Sequence, residues 1–259
     1  MSKQPIGIFD SGVGGTSIWK ELHKLLPNES TIYLADSKHG PYGNKSEKKI
    51  IALSIKNTEF LLKKGCKLIV VACNTATTNA IQTLREKYSI PFIGIEPAIK
   101  PAAFKSKTEV IGVLATKGTL TSKLFSKTML QFANNIKVVE QVGDGLVPLI
   151  ESGKIDTLEM KTILQGHLKP LLEANIDCLV LGCSHYPYLI PLLTEMLPKH
   201  IQIIDSGEAV AKQTKSILKQ NNLTNTEASK PKFLFYSNGN PKTISKLIGK
   251  DFKVNYLDF

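Results

Sequence analysis

The chain has 259 residues, 42% of them hydrophobic and 21% charged, which allows a sizeable core and excludes wholesale disorder. Its apolar runs are far shorter than the roughly 20 residues of a membrane-spanning helix, and its first residues lack the apolar core of a signal peptide. These features predict a soluble cytoplasmic protein with one large domain or two smaller ones, and no membrane partner.

The formal net charge is +11, and nearly all of the positive charge comes from lysine because Arg85 is the only arginine. Arginine supplies the forked contacts by which proteins recognise guanine and phosphate, so its near absence argues against a nucleic-acid partner. We interpret the charge as a lysine-rich solvated surface whose field favours an anionic small substrate. A bound carboxylate would rely on backbone N–H groups and hydroxyls rather than on an arginine.

Short apolar runs alternate with longer amphipathic segments along the chain. The apolar runs predict strands at 6–9, 31–34, 67–72, 92–95, 110–114, 137–140, 178–181, 201–204 and 233–236. The amphipathic segments predict helices at 16–26, 46–63, 77–87, 120–132, 157–172 and 208–219. Several strands are apolar throughout, which is typical of parallel strands covered by helices on both faces, so the alternation predicts an α/β fold.

One pattern occurs twice, about 110 residues apart. An apolar strand that ends in a small residue, a cysteine and polar residues occurs at 65–75 and again at 175–185. The strand ends at 6–11 and 111–116 match in the same way and in the same order. This repeat predicts two similar parallel-sheet α/β domains that face each other across an active-site cleft.

The second copy of the repeat ends near residue 206, which leaves about 50 residues to pack back on the first. We therefore predict a discontinuous first domain of residues 1–96 and 208–259. The second domain is predicted to contain residues 97–207.

Reactive or polar side chains follow four of the predicted strands, at the edge where open parallel sheets bind ligands. These side chains belong to Asp10-Ser11, Cys73-Asn74-Thr75, Thr116 and Cys183-Ser184-His185. If the domains face each other, the two cysteines approach one cleft from opposite sides. Two such thiols are suited to inverting a stereocentre, because one removes a proton while the other delivers one. Both are also predicted at helix starts, which would lower their pKa values and favour the thiolate.

Other roles for the cysteines and for the glycine-rich turn fit the sequence less well. Cys66 and Cys178 lie at predicted strand starts and are interpreted as buried small hydrophobic residues. A zinc site using the other two cysteines and His185 has poor ligand number and spacing. The glycine-rich turn at 12–15 matches neither the dinucleotide fingerprint nor the phosphate-binding P-loop, which argues against nucleotide cofactors.

The chain resembles the glutamate racemases of the aspartate/glutamate racemase family from residue 6 to about residue 210. The resemblance is carried by Asp10-Ser11-Gly12-Val13-Gly14-Gly15, Pro41-Tyr42-Gly43, Ala72-Cys73-Asn74-Thr75 and Gly182-Cys183-Ser184-His185-Tyr186-Pro187. It implies cofactor-independent interconversion of L-glutamate and D-glutamate, with D-glutamate supplied to peptidoglycan and with no metal. Members of this family are often homodimers whose arrangement varies.

The resemblance also implies roles for individual residues. Cys73 and Cys183 match the two acid/base groups, Asp10 and His185 match assisting residues, and Glu151 matches an acidic supporting position. The residues that match substrate-binding positions are Ser11, Tyr42, Gly43, Asn74, Thr75, Ser184 and His185. We add Asp10, Pro41 and Thr116 as candidate substrate-binding residues. Serine at 184 departs from the commoner threonine, but it keeps the hydroxyl.

Two alternatives stay open at this point. One is an aspartate racemase or another two-cysteine isomerase of the same fold, which the length of the accepted substrate would distinguish. The other is a non-catalytic ligand-binding relative, against which the presence of both strand-end cysteines argues.

Overall fold

Two parallel β-sheets organise the chain, which a computed structural model describes over residues 3–133, 136–226 and 230–259. The strands are β1 (Ile6–Asp10), β2 (Thr31–Ala35), β3 (Leu68–Val71), β4 (Phe92–Gly94), β5 (Val110–Ala115), β6 (Lys137–Val142), β7 (Cys178–Gly182), β8 (Gln202–Ile204), β9 (Phe233–Ser237) and β10 (Val254–Tyr256). The first sheet has the order β10-β9-β2-β1-β3-β4 and the second the order β6-β5-β7-β8. Every described strand pair is parallel.

Helices connect these strands and cover the sheets. They are α1 (Thr16–Leu25), α2 (Glu47–Lys63), α3 (Asn74–Lys87), α4 (Ile99–Lys105), α5 (Lys117–Leu120), α6 (Lys123–Phe132), α7 (Leu146–Glu151), α8 (Leu158–Glu173), α9 (Ile190–Met196), α10 (Gly207–Gln220) and α11 (Pro241–Ile248). Short 3₁₀ helices span Tyr42–Asn44 and Tyr186–Leu189. In the part of the chain that the structure describes, no helix combines the length and apolar character needed to cross a membrane.

The predicted α/β fold with two parallel-sheet domains is confirmed. All nine predicted strands are present, and their ends differ from the predicted ones by at most two residues. The strands β2-β1-β3-β4 and β6-β5-β7-β8 lie in the same relative order, as the sequence repeat implies. Strand β10 and the shorter helices carry too little periodic pattern to be predicted.

Two predicted helix starts differ from the observed ones for a local reason. The helix predicted from residue 77 begins at Asn74, because the Cys73 sulfur caps it by accepting a hydrogen bond from the Ala76 N–H at 3.4 Å. The helix predicted over 120–132 is divided into α5 and α6. The Ser122 hydroxyl accepts a hydrogen bond from the Phe125 N–H and so starts a new helix.

The first sheet is assembled from two separate parts of the chain. Strand β9 follows the second sheet in sequence but pairs with β2, and β10 pairs with β9. The domain boundaries predicted at 96/97 and 207/208 stay a prediction. The linkers near those positions contact each other, because the Ser206 hydroxyl donates a hydrogen bond to the Glu96 carbonyl at 2.5 Å.

An aromatic cluster anchors β9 to α1. Trp19, the only tryptophan, stacks on His23 and meets the ring edges of Phe235 and Phe252 at centroid distances of 4.8 and 4.9 Å. Its indole N–H donates to the Thr31 hydroxyl at 3.0 Å. Trp19 and Phe235 are buried, and His23 and Phe252 are half-buried, so the stability of the first sheet depends on residues more than 200 positions apart.

We predict that Phe235→Ala lowers the free energy of unfolding by about 3–5 kcal/mol, because it leaves a cavity beside Trp19. Leu234→Ala is the matched control, since this neighbouring side chain is 37% exposed and should cost less than about 1 kcal/mol. Urea unfolding followed by the fluorescence of Trp19 measures both. Equal losses for the two variants would contradict the described position of β9.

Candidate active site

The carboxyl ends of β1 and β3 in the first sheet face those of β5 and β7 in the second, and a small cavity lies between them. The residues that line it are Ser11, Pro41, Tyr42, Gly43, Cys73, Asn74, Thr75, Thr116, Val147, Cys183, Ser184 and His185. Its volume of about 10 Å³ is space for about one water molecule, so the described conformation is closed. A ligand the size of an amino acid therefore does not fit without a rearrangement of the cavity walls.

Of the predicted site residues, all but Asp10 and Glu151 line this cavity. Asp10 and Glu151 lie directly behind it, where Asp10 contacts Ser184 and Glu151 contacts His185. Val147 lines the cavity without having been predicted, because an apolar residue on a short helix carries no distinguishing sequence signal.

The Cys73 thiol is buried at the N-terminus of α3. Its sulfur donates to the Ser11 hydroxyl at 3.6 Å and accepts from the Ala76 N–H. Burial raises the pKa of Cys73, and the nearby Asp10 carboxylate raises it further, whereas the two hydrogen bonds oppose this rise. The expectation of a lowered pKa at this helix start is therefore wrong for Cys73, because burial outweighs the helix terminus.

Cys183 belongs to a chain of polar groups in the second domain. Its sulfur lies 3.7 Å from Nδ1 of His185, and Nε2 of His185 lies 2.6 Å from Oε1 of Glu151. Burial disfavours the imidazolium, but the hydrogen bonds to Cys183 and Glu151 outweigh burial and raise the pKa of His185 well above 6.5.

Asp10 lies at the end of β1 and is fully buried. One carboxyl oxygen accepts from the Gly12 N–H and the other from the Ser184 hydroxyl, both at 2.8 Å. Burial raises the pKa of Asp10 and the Glu151 charge adds to this, while His185 and the two hydrogen bonds oppose it. Because Ser184 belongs to the second domain, the Asp10 carboxyl connects the two domains behind the cavity.

The glycine-rich turn after β1 is shaped by side chains of the opposite domain. A Cβ atom on Gly12 would overlap the Glu151 carboxyl group, and one on Gly14 would overlap the His185 imidazole. The Glu151 carboxylate also accepts the Val13 N–H at 2.7 Å. The lack of side chains at Gly12 and Gly14 therefore allows Glu151 and His185 to lie close to this turn.

Hydroxyl and amide groups complete the cavity wall. The hydroxyls of Thr75 and Thr116 lie 2.8 Å apart, and Thr119 contacts both. Both amide atoms of the Asn74 side chain are buried and have no hydrogen-bond partner among the described residues. Buried polar groups in native proteins are nearly always paired, so Asn74 is suited to bind a polar ligand in the cavity.

The remaining cysteines lie away from this edge. Cys66 and Cys178 are buried, and Cys178 is the first residue of β7 whereas Cys183 follows its last. The interpretation of both as small core residues agrees with this burial. Within the described residues, no group of three or more His, Cys, Asp or Glu side chains is arranged to hold a metal ion.

Comparison with known proteins gives consistent matches. A family model described as Asp/Glu/Hydantoin racemase matches residues 6–214. The chain is 43% identical over 247 residues to a glutamate racemase of Herpetosiphon aurantiacus, which covers 95% of this chain and 97% of the relative.

Two solved structures are similar over nearly their whole length. A glutamate racemase of Bacillus anthracis has a TM-score of 0.88 and 31% identity, covering 100% of this chain and 98% of that one. A glutamate racemase of Francisella tularensis in complex with D-glutamate has a TM-score of 0.86 and 28% identity, with the same coverage.

We predict that the His185 imidazole titrates above pH 6.5 in the folded protein and that Glu151→Gln lowers its pKa, because the variant removes the carboxylate charge. Since the folded-state pKa is the higher one, this group contributes stability that is complete below pH 6.5. That stability is lost as the pH rises through the raised value. NMR titration of the His185 ring protons measures the pKa, and identical titration in both proteins would contradict the proposed role of Glu151.

Proposed function

Because this chain belongs to the Asp/Glu/Hydantoin racemase family, we propose that it interconverts L-glutamate and D-glutamate by proton transfer at Cα. Its family makes it an amino-acid racemase, and the similarity to glutamate racemases over nearly the whole chain supports glutamate as the substrate. The Francisella tularensis relative, which binds D-glutamate, supports a small amino acid as the ligand of this cavity. Racemisation of aspartate but not of glutamate would contradict the substrate assignment.

The observation that carries the proposal is that Cys73 and Cys183 line one closed cavity from equivalent strand ends of the two domains. One cysteine, as the thiolate, takes the α-proton from one face of the substrate. The electron pair of the broken C–H bond stays on Cα. The other cysteine, as the thiol, then delivers a proton to the opposite face, so the two cysteines end with exchanged protonation states.

The two sulfurs have different surroundings, which supports different roles for them as acid and base. The raised pKa of Cys73 favours its thiol form. The Cys183 sulfur lies 3.7 Å from Nδ1 of His185, so an acid/base group stands beside it. A closed cavity with fixed donors strengthens the electrostatic stabilisation of the carbanion, because little water screens it.

Substrate carboxylates have several uncharged partners in the cavity. The Asn74 amide lacks a partner among the described residues, and the hydroxyls of Ser11, Thr75, Thr116 and Ser184 lie at the same edge. The N–H groups at the start of α3 add a favourable dipole for an anion. These groups fit a dicarboxylic amino acid without an arginine.

We further propose that the D-glutamate formed serves peptidoglycan synthesis and that the reaction takes place in the cytoplasm. The peptidoglycan role rests on the resemblance to glutamate racemases, and the cytoplasmic location on the prediction from the sequence. Association into homodimers, which the resemblance also implies, stays a prediction.

We predict that Cys73→Ala and Cys183→Ala each lower the racemisation rate at least about a hundredfold in both directions, since each direction needs both groups. Cys178→Ala is the matched control, because this cysteine is buried at the other end of β7 and should leave the rate within about threefold. Circular dichroism of L-glutamate and of D-glutamate incubated with each variant measures the rates, and Trp19 fluorescence verifies folding. A folded Cys73 or Cys183 variant with near wild-type activity would disprove the two-thiol mechanism.

We also predict where deuterium enters when L-glutamate reacts in deuterated water. The first D-glutamate formed should carry deuterium at Cα, because the delivering thiol exchanges its hydrogen with solvent before the reaction. The recovered L-glutamate should carry little deuterium at early times. Mass spectrometry after chiral separation measures both, and a single shared base would instead retain the original proton or label both enantiomers together.

A further inference from the structure

We propose that Asp36 is a positioning residue that holds Tyr42 and Gly43 in the wall of the substrate cavity. The inference rests on the proposed racemase function, since it concerns the same cavity. Asp36 does not itself line the cavity, whereas Tyr42 and Gly43 do. It therefore acts through the segment that it holds rather than on a reacting atom.

The Asp36 carboxylate is fully buried and is surrounded by polar side chains. One oxygen accepts from the Tyr42 hydroxyl at 2.5 Å and from the Asn57 amide at 3.5 Å. The other oxygen lies 2.5 Å from the Asn238 amide, 2.7 Å from Nδ1 of His39 and 3.3 Å from Nζ of Lys56. These side chains and the Asp36 carboxylate are called the Asp36 cluster below.

The cluster keeps the carboxylate ionised although it is buried. Burial opposes the charge, but the hydrogen bonds from Tyr42, His39 and Asn238, together with the Lys56 charge, lower the pKa of Asp36 below its ordinary value. Burying a carboxylate carries a large desolvation cost unless hydrogen bonds compensate it. Because all of these partners contact the same two oxygens, the cluster holds them in one arrangement.

Tyr42 is the member that reaches the cavity. Its side chain is buried, its hydroxyl donates to Asp36 and accepts from the Asn57 amide at 3.1 Å, and Pro41 and Gly43 beside it also line the cavity. The main chain connects the cluster to the strand end that carries Asp10, because the Asp36 N–H donates to the Asp10 carbonyl at 2.9 Å. The position of Gly43 therefore depends on the Tyr42–Asp36 hydrogen bond.

The cluster also brings distant parts of the chain to the loop of residues 36–41, which connects β2 to the 3₁₀ helix Tyr42–Asn44. Lys56 and Asn57 lie on α2, and Asn238 follows β9. The Asn238 side-chain oxygen accepts the Lys38 N–H at 2.9 Å, which fixes the first part of the same loop. The Asp36 carboxylate therefore holds the end of the loop directly through Tyr42, and it holds Lys38 near the start of the loop through Asn238.

Asp36→Asn tests the proposal, because it keeps the size of the side chain and removes its charge. We expect the KM for glutamate to rise about tenfold or more, which corresponds to loss of a charge-assisted hydrogen bond. We expect kcat to change less than about threefold, since Tyr42 and Gly43 hold substrate and transition state alike. Glu29→Gln is the matched control: Glu29 is a buried carboxylate at the opposite end of β2 that binds Lys67 at 2.6 Å, and its variant should leave KM unchanged.

Tyr42→Phe keeps the test decisive if Asp36→Asn fails to fold. Removal of the hydroxyl should raise KM in the same direction. Where both single variants fold, their effects on KM should be less than additive in the double variant, because both changes weaken the same Tyr42–Asp36 hydrogen bond. Additive effects of the two substitutions, or an unchanged KM in either folded variant, would overturn the proposal.

Hydrogen exchange separates a failure of this inference from a failure of the proposed function. The backbone amides of residues 42–45 should exchange at least about tenfold faster in Asp36→Asn than in the wild type, and at the wild-type rate in Glu29→Gln. Faster exchange with no glutamate racemisation by the wild type would refute the function and retain the positioning role. Unchanged exchange in Asp36→Asn would refute the positioning role whatever the activity.

Discussion

One carboxylate oxygen joins the two domains at the point where the chemistry is proposed to occur. Oε1 of Glu151 accepts the Val13 N–H from the turn after β1 and pairs with Nε2 of His185, whose other nitrogen faces Cys183. This contact and the hydrogen bond to Cys183 together raise the pKa of His185 against the effect of burial. The same contact requires Gly12 and Gly14, because any side chain there would occupy the space of Glu151 or His185.

The two proposed reactive thiols are equivalent in topology but differ in their electrostatic surroundings. Cys73 is close to the buried Asp10, whereas Cys183 is close to His185. Similar groups in different environments can hold different protonation states at one pH, which is the condition for one to act as a base while the other acts as an acid.

Because the cavity is closed, part of the protein must move before a substrate can enter. The described cavity admits about one water molecule, and contacts between the domains surround it, such as Thr75 with Thr116 and the Asn79 amide with the Gly118 carbonyl at 3.0 Å. Under the proposed function, some of these contacts must break before a substrate enters.

The sequence alone determined the strands, their parallel arrangement and the strand ends that carry Cys73 and Cys183, because these depend on local apolar patterning and on a repeat within the chain. It also indicated most of the residues that line the cavity, through motifs in which the chemistry lies beside a strand end. Tertiary structure alone decided the direction of the Cys73 pKa shift, the contact of Glu151 with Val13, and the gathering of His39, Lys56 and Asn238 around Asp36. Burial and electrostatics sum over residues that are distant in sequence, so no local pattern around Asp36 or Cys73 contains them.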